Sequence, residues 1–576
     1  MAAHDTDVIA QTGVSAQADV IVIGSGLAGL VAACTALDRG RTVTIVEQEG
    51  PQSIGGQAFW SFGGLFLVDS PEQRRLGIRD SLELAWQDWE HTAGFDRDGD
   101  GDDDRSGDDL WARRWADAYL DFAHRDLRPW LRELGIRLFP VVGHAERGAR
   151  TDDGHGNRGH GNTVPRFHIV WGTGPGIVAP FTRRLRDAVR DGSARLAFRH
   201  RVTELLTDGG RVVGVAGDRL AEDLTVRGEP SSREVVGDFA LRAESVVVAT
   251  GGIGGELDRV RQLWPASLGT APTEAVRGVP VHVDGSGLAL ANDAGARLVN
   301  GDRMWHYTEG IKNWDPIWPD HGIRILPGPS SLWLDHLGRR LPSPNYPGFD
   351  TLSTLAHLRS VGAEHSWFVL TQSIVEKEFT LSGSEQNPDL TGRSVPKLLQ
   401  RVLPGAPAPV QAFLDHGEDF IVAHSLTELL DRMEELGRNA DGTTIDRAAV
   451  VAALEERDAA VVDPGSNDPQ AVEIRRAREY VGDRLIRTAK PHRILDEAHW
   501  PLIAVRLRTL TRKTLGGIQT DLDARALGAD GEPVPGLFAV GEAAGFGGGG
   551  VHGYRALEGT FLGGCLHTGL RAGRAV

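Results

Sequence analysis

The sequence predicts an α/β fold in which a buried parallel sheet is joined to a second, inserted domain. A β-branched run from Ala18 to Ile23 leads directly into a glycine-rich turn and a helical segment, and a second run, Glu244 to Gly252, also ends in a glycine turn. Strands covered on both faces are continuous apolar runs of this kind. The chain has 576 residues, more than one hydrophobic core usually organises, so at least two domains are expected.

The first glycine-rich turn has the spacing of a dinucleotide-binding motif in a complete βαβ context. Gly24 permits the tight turn, Gly26 lets the backbone approach a pyrophosphate, and Gly29 allows the helix to pack closely on the strand. The helix from Ala28 to Asp38 then presents free N–H groups and its positive dipole end to the phosphates. The second strand ends in Glu47, which is placed to accept hydrogen bonds from the adenosine ribose. The unit predicts a Rossmann-like domain, an opening that NAD and FAD proteins share.

Composition and net charge argue against several classes of binding partner. The net charge of −17, from 79 acidic and 62 basic residues, repels phosphate backbones and anionic lipids, so no nucleic acid or membrane partner is expected. No apolar run approaches the ~20 residues of a spanning helix, and the first residues lack the pattern of a signal peptide. Cys34 and Cys565 are the only cysteines, which suggests neither a disulfide framework nor a zinc site. A cytoplasmic protein without a metal site is predicted.

The later motifs resemble the FAD-dependent oxidoreductase 2 family, the superfamily of fumarate reductase and succinate dehydrogenase flavoproteins. The resemblance depends on Gly55-Gly56 after the βαβ unit, the strand Glu244 to Gly252, and the strand Pro535 to Glu542 with its glycine-rich continuation. The stretch Gly545 to Gly563 is most similar to actinobacterial FAD-binding dehydrogenases related to 3-ketosteroid Δ1-dehydrogenase. The resemblance implies FAD, a glutathione-reductase-type domain, a small-molecule substrate and a separate electron acceptor or donor.

The same resemblance divides the chain and places the cofactor. It implies an FAD-binding domain over residues 18–305 and 513–576, interrupted by an α+β capping domain over 306–512. Because Gly55 to Trp60 contains no histidine, where succinate dehydrogenases attach FAD covalently, noncovalent FAD is expected. The residues expected to contact it are Gly24, Ser25, Gly26, Ala28, Gly29, Glu47, Gln48, Gly55, Gly56, Gln57, Gly63, Gly64, Val202, Ala249, Thr250, Gly251, Gly541, Glu542, Gly559, Thr560, Phe561 and Leu562.

His306 and Tyr307 are the first candidates for catalysis. They fall where fumarate reductases carry a His-Pro-Thr segment whose histidine contacts substrate. A tyrosine can donate to a substrate carbonyl, or take an α-proton if its pKa is lowered by its neighbours. A hydrogen-bonded structural histidine is the alternative interpretation of His306.

Three positions depart from the fumarate reductase pattern. Lys513 replaces a motif histidine, Val375 lies near the position of the proton-donating arginine, and Ala556 replaces a carboxylate-binding arginine. A dicarboxylate clamp needs charged donors paired with both carboxylates, so this clamp is not expected to be intact. Arg555 is a candidate for polarising a substrate carbonyl, although it could instead bind the flavin pyrimidine or an internal carboxylate such as Glu558.

The loop from Asn157 to Gly176 supplies two further candidates. It is rich in glycine, histidine and arginine, and loops placed by a rigid scaffold often line sites. Arg166 and His168 are therefore predicted as polar anchors near the flavin or substrate. Structural hydrogen bonding and a metal-binding histidine tract are the alternatives.

The acidic segment Asp96 to Asp104 matches the first half of a calcium loop. Its twelfth position is Gly107, so the bidentate closing glutamate is missing. A solvated acidic insertion is expected, with a weaker calcium site as the alternative.

Together these features predict an FAD-dependent dehydrogenase or ene-reductase acting on a CH–CH bond adjacent to a carbonyl, with ketosteroid-like compounds among the substrates. A side chain would exchange the α-proton while the flavin exchanges a hydride at the β-carbon. A fumarate reductase or succinate-type dicarboxylate oxidoreductase is the alternative enzyme. A non-catalytic flavin-bearing binding or electron-transfer protein is the third hypothesis.

Overall fold

Two large sheets organise the chain in the computed structural model, which describes residues 18–97, 107–147, 151–152, 158–159, 162–401, 404–550 and 557–576. The strands are β1 (Ala18–Ile23), β2 (Val43–Glu47), β3 (Gly64–Phe66), β4 (Leu138–Gly143), β5 (Thr151–Asp152), β6 (Arg158–Gly159), β7 (Phe167–Val170), β8 (Ala194–Phe198), β9 (His200–Asp208), β10 (Arg211–Leu220), β11 (Val235–Val248), β12 (Val276–Arg277), β13 (Leu298–Val299), β14 (Met304–Lys312), β15 (Gly322–Leu326), β16 (Leu332–Leu334), β17 (His365–Thr371), β18 (Thr380–Leu381), β19 (Phe420–Ala423), β20 (Leu502–Thr514), β21 (Gly517–Ile518), β22 (Arg525–Leu527) and β23 (Pro533–Ala539).

Helices cover both sheets. They are α1 (Leu27–Asp38), α2 (Gly56–Phe59), α3 (Pro71–Arg75), α4 (Leu82–Ala93), α5 (Leu110–Arg125), α6 (Leu127–Glu133), α7 (Thr173–Asp191), α8 (Leu257–Gln262), α9 (Ser286–Asp293), α10 (Thr351–Ser360), α11 (Gln372–Glu378), α12 (Pro388–Thr391), α13 (Val395–Gln400), α14 (Ala408–His416), α15 (Leu426–Leu436), α16 (Arg447–Val462), α17 (Pro469–Ala477), α18 (Val481–Ile486) and α19 (Thr560–Ala575).

The first sheet contains the predicted parallel core. Its strands run in the order β22-β23-β11-β1-β2-β8, and β10 and β9 extend it from β11. β1 pairs in parallel with both β2 and β11, β2 pairs in parallel with β8, and β11 pairs in parallel with β23. The prediction of an α/β fold with a parallel sheet is confirmed.

Helices α1 and α19 bring the two ends of the chain together on this sheet. A Cβ atom on Gly569 would lie 2.6 Å from the carbonyl oxygen of Ala28, and one on Gly573 would lie 2.6 Å from that of Ala32. The two helices therefore approach so closely that only glycine fits at these positions of α19. As a result, residues near 24 and near 560 lie at the same end of the sheet.

The second sheet is mainly antiparallel, with the order β16-β17-β20-β14-β15-β18. Strand β20 is its longest member: its first half pairs with β17 and β19, and its second half pairs with β14 and β12. β20 carries Lys513 and Thr514 to the first sheet. Because β12 precedes residue 306 and β20 passes residue 512 without a break, the division of the chain at 306 and 512 stays a prediction.

Among the described residues, no helix has the length and apolar character needed to cross a membrane. In the same residues there is no group of three or more His, Cys, Asp or Glu side chains that could hold a metal ion. Most of the acidic segment Asp96 to Asp104 lies outside the described residues. Asp96 at its start and Asp109, five residues beyond its end, both pair with Arg303.

Candidate active site

Residues of both sheets line a cavity of about 1860 Å³, a volume that includes the part open to solvent. The first residues of α1 line one part of it, and the first residues of α19 line another. The second sheet contributes Tyr307, Arg324, Leu510, Arg512 and Lys513. The cavity therefore joins the nucleotide motif to side chains more than 250 positions away.

The glycine motif forms an open backbone cradle at the N-terminus of α1. Gly26 precedes this helix, no side chain caps it, and an added Cβ would meet only the carbonyl oxygen of Ala249, at 3.9 Å. Gly24 has φ +100°, and a Cβ on Gly29 would lie 2.3 Å from the carbonyl oxygen of Gly24. Free N–H groups in an uncapped helix end fit the pyrophosphate of FAD.

Glu47 lies beside this cradle at the end of β2. Its Oε2 accepts hydrogen bonds from the backbone N–H and the hydroxyl of Ser25, both at 2.8 Å, and its Oε1 accepts from the N–H of Glu49 at 3.0 Å. Across the cavity, the buried hydroxyl of Thr250 has no hydrogen-bond partner among the described residues. These polar groups fit the ribose and phosphate part of FAD.

The far part of the cavity has the features expected around a flavin. Glu542 accepts a hydrogen bond from Nε2 of Gln57 at 2.7 Å and another from the N–H of Thr514 at 2.9 Å, and burial raises its pKa. Gly559, with φ +95°, directly precedes α19, and no side chain caps that helix. The N-terminal end of α19 therefore directs a positive dipole into the cavity, as reduced flavin requires.

Most of the predicted cofactor contacts line the cavity. Those that do are Gly24, Gly26, Ala28, Glu47, Gln48, Gly56, Gln57, Gly63, Gly64, Val202, Ala249, Thr250, Gly251, Gly541, Glu542, Gly559, Phe561 and Leu562.

Four predicted contacts lie behind the wall instead. Ser25 is buried against Glu47, and Gly29 packs on Gly24. The N–H of Gly55 donates to the carbonyl of Ser25, and the hydroxyl of Thr560 donates to the carbonyl of Leu557. These residues support the lining without forming it.

Tyr307 is the centre of a charged group on the cavity wall. Its hydroxyl donates to Oε1 of Glu558 and accepts from Nζ of Lys513. Nη1 of Arg324 donates to the same Oε1 of Glu558 at 2.8 Å, and the guanidinium carbon lies 3.7 Å from the centroid of the Tyr307 ring. Three side chains, from β14, β15 and β20, therefore surround the carboxylate of Glu558, which lies just before α19.

Two more carboxyl groups lie behind Arg324. Oε2 of Glu309 is 3.6 Å from Nε of Arg324, and Glu146, also fully buried, accepts a hydrogen bond from the N–H of Thr351 at 2.5 Å. Nη2 of Arg324 has no hydrogen-bond partner within the described part of the chain. Arg324 lines the cavity, but Nη2 itself is buried, so a substrate oxygen would reach this nitrogen only after the side chain turns toward the cavity.

The environment sets the charge of this group. Burial raises the pKa of Glu309 and raises that of Glu146 to about 8. Burial alone would also raise the pKa of Glu558, but Lys513 and Arg324 hold it below its usual range. Burial lowers the pKa of Lys513 to about 7, and burial and Glu558 raise that of Tyr307 well above its usual value. Arg324 is thus balanced by Glu558, and near neutral pH Lys513 is divided between its charged and neutral forms.

The structure does not bring His306 to the cavity. Its ring stacks on Trp264, 5.4 Å between centroids and 4° between planes, and Nε2 lies 3.2 Å from the sulfur of Met304. Successive side chains of a strand point to opposite faces, so Tyr307 faces the cavity and His306 faces away. Burial lowers the pKa of His306 to about 4, which keeps the ring neutral.

Arg166 and His168 also lie outside the cavity, contrary to the prediction. Arg166 is fully buried and donates to Asp80 at 2.7 and 2.9 Å and to Asp88 at 2.5 Å. His168 is held between the hydroxyl of Ser70 and the carbonyl of Arg166. Between them on β7, Phe167 lines the cavity. Both polar side chains form hydrogen bonds within the protein, and neither lines the cavity.

The three positions that depart from the fumarate reductase pattern lie in different surroundings. Val375 is fully buried in the hydrophobic core of the second sheet, whereas Lys513 lines the cavity. Ala556 and Arg555 lie outside the described residues, so the role of Arg555 stays a prediction.

Sequence reasoning missed Arg324. Its signal was present: Gly322 to Leu326 is a short apolar strand with one arginine at its centre, and a buried charge is retained only where it is paired. Glu558 was considered only as a partner of Arg555, and Lys513 only as a lost histidine.

Comparison with known proteins gives the family. The model of the FAD binding domain family matches residues 19–562. The chain belongs to this FAD binding domain family. The match confirms FAD as the cofactor and an FAD-dependent oxidoreductase as the class of protein.

Two curated relatives are similar along almost their whole length. A KsdD-like steroid dehydrogenase of Mycolicibacterium smegmatis is 59% identical over 95% of this chain and 96% of its own. A KsdD-like steroid dehydrogenase of Mycobacterium tuberculosis is 57% identical over 97% of this chain and 95% of its own. The family resemblance inferred from the motifs is thereby confirmed.

Solved structures share the fold at lower identity. The 3-ketosteroid delta1-dehydrogenase of Sterolibacterium denitrificans, solved with 1,4-androstadiene-3,17-dione, gives a TM-score of 0.67 at 18% identity and covers 97% of this chain and 99% of its own. The open conformation of a flavocytochrome c3 fumarate reductase gives 0.60 at 19% identity and covers 98% and 78%. Both solved structures thus share the architecture of this chain.

Proposed function

We propose that the protein is an FAD-dependent dehydrogenase that oxidises a CH–CH bond next to the carbonyl of a neutral, ketosteroid-like substrate. The single observation that carries the proposal is the meeting of Tyr307, Arg324 and Glu558 on the cavity wall. The steroid dehydrogenase names of the two relatives, at 57% and 59% identity, support the substrate class. FAD supplies the chemistry of accepting a hydride when it is bound.

Arg324 is the group that would polarise the carbonyl. Its Nη2, which is buried and has no partner among the described residues, would donate to the carbonyl oxygen once the side chain turns toward the cavity, while Glu558 and Glu309 keep the guanidinium nearby. A fixed, buried cation stabilises the negative charge that develops on this oxygen when the α-proton leaves. In the reverse direction the same donor would activate an enone.

Tyr307 is the group that would exchange the α-proton. Its hydroxyl and Nη1 of Arg324 both bind Oε1 of Glu558, so they lie close enough to serve two adjacent groups of one substrate. The α-carbon is directly bonded to the carbonyl carbon that Arg324 would polarise. Proton exchange at the hydroxyl is general acid–base catalysis of the kind that typically contributes 10²- to 10⁴-fold in rate.

The charge of the site favours a neutral substrate over a dicarboxylate. Arg324 is balanced by Glu558; of the other two cations that the second sheet contributes to the cavity, Arg512 donates to the carbonyl of Gly278 and Lys513 has its pKa lowered to about 7. A buried dianion needs matching cations, and without them its desolvation is uncompensated. Fumarate or succinate is therefore disfavoured.

We further propose that the first sheet with α1 and α19 is a glutathione-reductase-type FAD domain and that residues 306–512 form a capping domain. Closure of such a cap over the cavity would exclude water from the reaction. A cytoplasmic location, a small-molecule substrate and a separate electron acceptor belong to the same proposal.

Anaerobic stopped-flow spectroscopy of the flavin tests the proposed function. A 3-ketosteroid should bleach the oxidised flavin, and fumarate should reoxidise the reduced flavin slowly or not at all. Tyr307→Phe should slow bleaching by about 100-fold or more with FAD still bound. Fumarate turnover at ~10 per second, a typical enzyme rate, with no response to ketosteroids would overturn the proposal. A flavin that responds to neither would favour the non-catalytic hypothesis.

A further inference from the structure

We propose that Lys513 is the proton acceptor of a two-residue relay, in which Tyr307 touches the substrate and passes its own hydroxyl proton to the amine of Lys513. This inference depends on the proposed function for the substrate, but it concerns a residue that neither the motif nor the proposed chemistry assigns.

The sheet places the two side chains in contact. Trp305 pairs with Lys513 and Tyr307 pairs with Leu510, with an irregularity between the two pairs, and the side chains of Tyr307 and Lys513 both line the cavity. Nζ of Lys513 contacts Oη of Tyr307 and lies 3.7 Å from the centroid of the Phe561 ring. Its side chain is 15% exposed, on the cavity side, so a proton on Nζ can leave through the cavity.

Glu558 also contacts the Tyr307 hydroxyl, but it is the poorer proton acceptor. It receives a hydrogen bond from Arg324 at 2.8 Å and lies 3.8 Å from Nζ of Lys513. Two neighbouring cations hold a carboxylate ionised, because its protonation would leave both of them unbalanced. In the structure the Tyr307 hydroxyl donates to Glu558 and accepts from Lys513, so the relay requires this hydroxyl to rotate from Oε1 of Glu558 to the neutral Nζ of Lys513, while Glu558 keeps its bond from Arg324.

The surroundings favour the neutral amine. The charged and titratable groups that face Lys513 are Tyr307 on β14, Arg324 on β15, Arg512 on its own strand, Glu542 after β23 and Glu558 before α19. Burial is the largest influence and disfavours the ammonium form, Glu558 opposes it, and Arg512 and Arg324 add to it. The pKa of about 7 leaves an appreciable fraction of amine at neutral pH.

The relay balances without a further reactant. The α-C–H bond breaks as an O–H bond forms at Oη, while the original O–H bond of Tyr307 breaks and an N–H bond forms at Nζ. The amine becomes an ammonium group and the tyrosine stays neutral, while FAD, when bound, would supply the acceptor for the hydride of the β-carbon. Tyr307 thus needs no tyrosinate form, in keeping with its raised pKa.

The test uses the holoenzyme and two substitutions that separate the charge of Lys513 from its ability to act as a base. Lys513→Arg keeps the charge but cannot act as a base, and Lys513→Met removes both charge and base. The rate of flavin bleaching by a 3-ketosteroid should rise with pH through about 7 in the wild type and lose this rise in both variants, with rates lower by about 10²-fold or more. Lys397→Arg, on the surface at α13, is the matched control and should change neither. If Lys513→Arg keeps wild-type rates and pH profile, the lysine only positions Tyr307, and the relay is wrong.

A second readout is independent of any substrate. The chain has five lysines, Lys312, Lys377, Lys397, Lys490 and Lys513, so ε-¹³C-lysine labelling gives few NMR signals, and Lys513→Arg identifies the one of interest. That signal should titrate near pH 7, and one that titrates above about 9 would overturn the relay. If a 3-ketosteroid does not bleach the flavin but the Lys513 signal titrates near pH 7, the substrate class is rejected, while Lys513 is supported as the proton acceptor.

Discussion

Gln57 and Glu542, 485 positions apart, are joined by a hydrogen bond of 2.7 Å from Nε2 to Oε2 on the wall of the flavin cavity. The other oxygen of Glu542 accepts from the N–H of Thr514 at 2.9 Å. This one carboxylate therefore connects α2, the end of β20 and the residues after β23, the three segments that surround the expected flavin.

Reversing this pair should test its role. Gln57→Glu places a second carboxylate against Glu542, and two buried like charges repel, so the dissociation constant of FAD should rise about tenfold or more. The double variant Gln57→Glu/Glu542→Gln restores one amide and one carboxylate and should recover most of the affinity. Titration of the apoprotein with FAD, followed by flavin fluorescence, measures both. A double variant no better than the single one would show that the pair does not support FAD binding.

Glu47 should contribute to FAD affinity through the ribose. Removing its carboxylate as Glu47→Ala should cost about 1.5 to 3 kcal/mol, or roughly 10- to 150-fold in the dissociation constant. Glu204→Ala, on the exposed face of β9, is the matched control and should leave the affinity unchanged. An unchanged constant for Glu47→Ala would place the ribose elsewhere in the cavity.

Denaturation should release FAD from the protein as unmodified, free FAD. Residues 55–60 offer no histidine for a covalent link, so acid or heat should release free FAD into the supernatant after precipitation. The measurement is the flavin absorbance of the supernatant and of the washed pellet. Flavin retained in the pellet after denaturant washing would contradict noncovalent binding.

The nucleotide half of the candidate site could be predicted from the sequence because its signals are local. Gly24, Gly26 and Gly29 act within one turn, and their conformations follow from backbone sterics that a glycine pattern reports directly. The position of Glu47 in the site follows from the length of one βαβ unit.

The catalytic half depends on pairings that no local pattern reports. Tyr307 meets Lys513 across 206 positions and Glu558 across 251, through a strand pairing with two irregularities. Adjacent residues were predicted to act together, but the alternation of β14 separates His306 from Tyr307. Arg166 was predicted from its polar loop, while the acids that neutralise it, Asp80 and Asp88, lie 86 and 78 positions away.

His306 should be dispensable for chemistry. His306→Phe keeps the aromatic stack on Trp264 and should leave the rate of ketosteroid turnover within about threefold, a change under 1 kcal/mol in the barrier. Tyr307→Phe in the same assay is the contrasting variant. A loss of about 100-fold in His306→Phe, with normal FAD binding and stability, would return His306 to the mechanism.

Lowering the pH from 6.5 toward 4 should destabilise the fold, and His168 should carry part of the loss. Nδ1–H of its buried ring donates to the carbonyl of Arg166 at 2.8 Å, and Nε2 accepts from the hydroxyl of Ser70 at 2.7 Å, an arrangement that only the neutral ring can make. Burial lowers the pKa of His168 to about 4, against about 6.5 in the unfolded chain.

Between these two values the unfolded chain binds a proton that the folded chain does not. The stabilisation is therefore present above pH 6.5 and is lost as the pH falls, by up to about 1.4 kcal/mol per pH unit for one histidine. Urea unfolding of the wild type and His168→Gln at several values between pH 7 and 5 measures the slope. The variant should be less stable at pH 7 but lose less on acidification, while His424→Gln, at an exposed position, should keep the wild-type slope. Equal slopes for His168→Gln and the wild type would mean that His168 takes up its proton in the folded protein, and the assignment of its neutral form would be wrong.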